Sequence, residues 1–159
     1  MAEFTHIDDQ GRVRMVDVSD KACTQRTAVA RGTISMNRET LENIRSGGGK
    51  KGNVLETARI AGVMAAKRAS DLVPMCHPIN ITHVAVDFST DADKRVVEIR
   101  SEVRTIGQTG VEIEAVAAVL VAALTIYDMC KSYDRSMVIS DVRLVRKEGG
   151  KSGLFVAEE

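Results

Sequence analysis

Apolar and polar positions along the chain change period several times, and each change marks an element. Residues 26–36 read as a strand. Asn37 then caps a short helix whose Leu41 and Ile44 lie three apart on one face, and Gly47 closes it. Asn53 opens a longer helix that ends before Asp71. Its Glu56 stands three residues on, as in a capping box, and Val54, Ala58, Ala61 and Ala65 run along one face.

Residues 81–88 alternate, with Val84, Val86 and Phe88 on one face and His83, Ala85 and Asp87 on the other. After a turn at 90–94 the pattern returns, setting Val97, Ile99, Ser101 and Val103 against Glu98, Arg100, Glu102 and Arg104. That polar face is either wet or an interface. Residues 111–131 form the strongest helical segment. Positions 115–127 carry no charge and include five alanines, so the helix is expected to be buried nearly all round, on a sheet and against a second subunit. Residues 138–147 supply the last strand. The order strand, helices, strand, strand, helix, strand predicts an α+β, ferredoxin-like βαββαβ subunit with an antiparallel sheet and helices on one face. Residues 1–22 are polar and without period, an arm able to pack onto a partner, and 23–159 form a single domain.

Composition narrows the function. A chain of 159 residues, 44% hydrophobic, builds one core. Its 22 basic and 22 acidic side chains balance, which predicts no nucleic acid or membrane partner and requires any anion site to be built locally. With two aspartates and no apolar run in residues 1–10, and no uncharged stretch of about 20 residues, a cytoplasmic protein is expected. Cys23, Cys76 and Cys130 show neither disulfide nor zinc spacing and read as reduced thiols, with no metal site.

Two glycine motifs imitate nucleotide loops. Gly47, Gly49 and Gly52 follow a helix where a dinucleotide fingerprint needs a strand, and residues 150–152 (GKS) have Val145 where a P-loop needs glycine. What remains is a flexible loop with Lys50 and Lys51 just before a helix N-terminus, where free N–H groups favour an anion such as phosphate; an ordinary helix connection would look the same. His77 sits between Cys76 and Pro78 in the rigid segment 72–78 (LVPMCHP), as a proton carrier or as a satisfied structural group. Asp128 and Lys131 share a helix face. They are either a plain ion pair or, following thirteen uncharged residues, a partly desolvated acid–base pair. Glu112 and Glu114 begin the same helix, fourteen residues and about 21 Å from Asp128. One small substrate cannot easily reach both ends within one subunit, which predicts a site shared between subunits.

Residues 15–18 (MVDV), 51–54 (KGNV), 58–62 (ARIAG), 72–78, 109–115 (TGVEIEA), 124–131 (LTIYDMCK) and 149–153 (GGKSG), in this order, resemble the cyclic pyranopterin monophosphate synthase family of molybdenum-cofactor biosynthesis. Asn53 stands where that pattern has Asp, and Met75 where it has Leu, both mild exchanges. The resemblance implies a homohexamer, a trimer of dimers with active sites at the dimer interface. It also implies a GTP-derived small-molecule nucleotide, 3′,8-cyclo-7,8-dihydroguanosine triphosphate, as substrate. By position, Asp128 is implied as the acid–base residue, with Lys51, Lys131 and His77 beside it; Met75, Cys76, His77, Glu112, Ile113, Glu114 and Lys147 are implied as substrate contacts. No cofactor is held permanently, and Mg²⁺ accompanies the triphosphate. The competing readings are an RNA-binding module, which needs sheet aromatics that residues 95–105 lack, and a non-catalytic nucleotide- or pterin-binding module.

Overall fold

The computed structural model describes residues 6–47 and 52–158. Small residues decide where its layers meet. Strand β1 (Thr24–Ser35) turns Ala28, Ala30, Gly32 and Ile34 towards the helices. A Cβ on Gly32 would lie 2.7 Å from Val119 and 2.9 Å from Val142, so helix α4 (Glu112–Cys130) rests directly on β1. Helix α2 (Val54–Lys67) approaches α4 as closely: a Cβ on Gly62 would come 2.9 Å from the Ala118 carbonyl. Gly62 is therefore buried where the apolar pattern pointed to Ala61, which is only half-buried.

The sheet runs β2 (Ile81–Asp91), β3 (Val96–Gly107), β1, β4 (Val138–Glu148), β5 (Phe155–Val156), every pair antiparallel. Its first four strands make the ferredoxin-like arrangement expected from the sequence. The short β5, which the sequence did not suggest, pairs with Arg146 and Lys147. Helix α1 (Arg38–Arg45) is capped by Asn37, whose side chain accepts from the Thr40 N–H at 2.8 Å. Asn53 caps α2 in the same way at Glu56, 3.1 Å. The second helical stretch is broken at Arg68, so the turn α3 (Ala69–Leu72) is separate from α2.

Helix α4 packs on β1, β3 and β4 and against α2, and within this one chain Ile113, Leu120 and Leu124 remain 43%, 45% and 57% exposed, on the helix that the sequence analysis expected a second subunit to help cover. The opposite face of the sheet is charged. On it Arg31 stands directly across from Arg100 and Arg143 on its two neighbouring strands, and Glu102 bridges Arg100 and Arg104. Before β1, residues 6–22 form an extended segment with two tight turns, one around Asp8 and Gly11 and one from Val18 to Lys21.

Candidate active site

The first turn of α4 and the rigid segment 72–78 converge on one groove. Met75, Cys76, His77, Glu112, Ile113 and Glu114 all line it, together with Val16 and Lys21 from the arm, around a volume of about 260 Å³. His77 fixes the arm in place: its Nε2 lies 2.7 Å from the Val16 carbonyl, so the residue between Cys76 and Pro78 also builds the groove's wall. Nearby, Asp17 accepts from the Ser19 hydroxyl and N–H, which holds its carboxyl below the usual range.

Glu114 is the unusual group. Only 3% of it is exposed, the Cys76 thiol donates to its Oε1 at 3.5 Å, and its Oε2 has no partner among the described residues. Burial raises its pKa, and the charge of Glu112, two residues before it, adds a smaller push in the same direction. Burial, and then Glu114, push the Cys76 thiol up to about 11. Each group therefore gives up its proton at a higher pH than its exposed counterpart would, and Cys76 is a thiol rather than a thiolate at neutral pH.

At Glu112 the groove opens into a larger cleft of about 840 Å³, lined by Lys21, Arg26, Lys147 and Lys151, with Gly149, Gly150 and Ser152 at its rim. Lys147 hydrogen-bonds Ser152. The sequence pointed to Lys147 but not to Lys21, Arg26 or Lys151. These three come together only through the antiparallel pairing of β1 with β4, which sets Ala28 opposite Lys147. The one available signal was the glycine-rich run at 149–153, which fails as a P-loop but still lies beside the cations.

Asp128 and Lys131 are elsewhere. They form an exposed ion pair of 2.6 Å at the far end of α4, and Asp128 raises the Lys131 pKa. Within this one chain 75–77, 112–114 and 147 gather at one end of α4 and Asp128 and Lys131 lie at the other, the separation that the sequence analysis read from the length of the helix. Lys51 lies outside the described residues.

Fold and clefts together define a ferredoxin-like domain with a ligand groove and an adjoining cationic cleft at the N-terminal end of its buried helix. Residues 15–150 match the MoaC family. A relative from Desulforapulum autotrophicum is 63% identical over 158 residues, covering 99% of this chain and 97% of its own. One from Roseiflexus sp. (strain RS-1) is 60% identical, covering 98% and 99%, and one from Heliobacterium modesticaldum 57%, covering both chains fully. All three bear the name cyclic pyranopterin monophosphate synthase. The chain belongs to the MoaC family.

Proposed function

We propose that this protein is a cyclic pyranopterin monophosphate synthase of molybdenum-cofactor biosynthesis, a phosphorus–oxygen lyase working in the cytoplasm. It converts 3′,8-cyclo-7,8-dihydroguanosine triphosphate into cyclic pyranopterin monophosphate with release of pyrophosphate. The observation that carries this reading, beside the near full-length kinship, is the junction at Glu112 of a small groove with a large cationic cleft. A substrate with a flat polar head and a polyanionic tail needs that pairing.

The tail belongs with Lys21, Arg26, Lys147 and Lys151, whose charges stabilise the departing pyrophosphate. Mg²⁺ accompanies the triphosphate, and no cofactor is held permanently. The head lies against Met75, Cys76, His77, Ile113 and Glu114. Proton transfers during ring opening and reclosure fall to Asp128, with Lys131, Lys51 and His77 assisting.

For Asp128 to reach the groove, a second copy must bring it. The exposed Ile113, Leu120 and Leu124 and the half-buried Ala117 lie along the helix at successive spacings of four, three and four (113, 117, 120, 124), the repeat of a helix–helix seam, and Lys131 continues the line. A two-fold axis at the seam's middle pairs α4 antiparallel with its copy, Leu120 against Leu124 of the partner subunit. The acidic end with Glu112 and Glu114 then meets the partner's Lys131, so the ends match in charge. Each pair completes two sites, and three pairs give a hexamer.

The reading is tested by supplying enzymatically generated 3′,8-cyclo-7,8-dihydroguanosine triphosphate and following pyrophosphate and pterin product. The parent should turn over, and Asp128→Asn should lose about 10²–10⁴-fold in kcat with its assembly unchanged. A folded parent that binds the triphosphate without turnover would favour the non-catalytic binding module instead.

A further inference from the structure

The turn after β4 holds two neighbouring glycines in left-handed backbone, Gly149 at φ 96° and Gly150 at φ 74°. They occupy that conformation against different neighbours. A Cβ on Gly149 would overlap the carbonyl oxygen of Gln25, which belongs to the backbone of β1 and cannot move aside. A Cβ on Gly150 would instead overlap Nη1 of Arg26 and lie 2.6 Å from its Cζ and 3.1 Å from its Nη2. The first glycine makes room for the sheet, the second for one guanidinium.

That guanidinium is aimed by what surrounds it. Nε and Nη2 of Arg26 donate to the carbonyls of Gly107 and Gln108, each at 3.3 Å. These carbonyls are neutral, so they orient the group and leave its charge for an anion. With Gly150 closing the remaining side, the guanidinium is clamped between the end of β3 and the turn after β4, on the wall of the cationic cleft. A guanidinium already seated loses less freedom on meeting a phosphate than one that swings in solvent.

We propose that Gly150 is a positioning residue for the phosphate end of the substrate: the space left by its missing side chain seats the Arg26 guanidinium in the cleft. This rests on the assignment of that cleft to the triphosphate. It does not rest on turnover, because inorganic pyrophosphate is a sufficient probe.

Binding of pyrophosphate by calorimetry and steady-state kinetics should be measured for Gly150→Ala, Arg26→Ala, the double variant and Gly153→Ala. Gly153 lies in the same turn at φ 63°, with nothing within 4 Å of a Cβ, so Gly153→Ala carries the backbone strain without the clash. We expect Gly150→Ala to weaken pyrophosphate about tenfold and raise KM similarly, with kcat much less affected. Gly153→Ala should leave both nearly unchanged. Once Arg26 is alanine, adding Gly150→Ala should cost nothing further, because no guanidinium remains to displace. Should Gly150→Ala alone fail to fold, the same clash predicts that the double variant folds and binds as Arg26→Ala does. Equal behaviour of Gly150→Ala and Gly153→Ala, or a Gly150→Ala effect that persists without Arg26, would overturn the proposal. If the parent binds pyrophosphate, with the variants in the expected order, but converts no substrate, the positioning role stands and the synthase reading fails.

Discussion

The two ends of α4 carry acids in opposite circumstances. At the N-terminal end Glu114 is buried, half-partnered and inclined to keep its proton, backed by a thiol and walled in by the arm through His77. At the C-terminal end Asp128 lies in the open, paired with Lys131. The first end has a shaped, partly dry groove with an acid set back in its wall; the second has an accessible acid on an open helix face. On the proposed reading neither is a complete site, since one chain holds the two ends about 21 Å apart.

The largest effect expected concerns that incompleteness. Asp128→Asn and Glu114→Gln should each be severely impaired alone. Co-expressed and randomly paired, half of the dimers hold one of each, and one of their two sites has both native residues, so about a quarter of parental activity should return. No recovery from verified mixed dimers would break the shared-site reading.

A smaller effect separates the ends by pH. The folded chain holds the Glu114 proton more tightly than the unfolded chain does. This contribution to stability is therefore complete below the ordinary glutamate range and is lost as pH rises through the folded value. Glu114→Gln lacks this dependence. Thermal melts from acid to neutral pH should show the parent losing ground to the variant as pH rises. Parallel pH profiles would mean that Glu114 titrates as an exposed acid.

The smallest effect is a matter of thiol chemistry. With its pKa near 11, Cys76 should alkylate with iodoacetamide at least tenfold more slowly at pH 8 than the exposed Cys23, read by mass spectrometry of the labelled peptides. Equal rates would place Cys76 outside the dry part of the groove.

Much of this was visible in the sequence because local pattern and tertiary role agreed. The alternation through Val97, Ile99, Ser101 and Val103 became the buried face of β3, and Asn37 and Asn53 cap the helices they were expected to cap. Of the groove residues, His77, Glu112 and Glu114 stood out as local signals, a histidine beside a proline and the start of a helix, whereas Met75, Cys76 and Ile113 came from the family resemblance alone. Arg26 and Lys21 were missed because each is an ordinary surface cation until strand pairing brings it beside Lys147 and Lys151. For α4 the limit is of another kind: an alanine-rich uncharged run tells that a helix will be covered, but not how much of it by its own chain, and within this chain Leu120 and Leu124 stay exposed.

The uniform α4 also limits how this molecule can change over time. One residue inserted between Glu114 and Asp128 would turn one end relative to the other by about 100° and lengthen the span by about 1.5 Å, taking Leu124 off the seam and Asp128 out of its register. The same insertion in the exposed turn at residues 92–95 would alter a hairpin tip alone. Lineages of this protein should therefore differ freely in arm and turn lengths while keeping the count of residues between these two acids fixed.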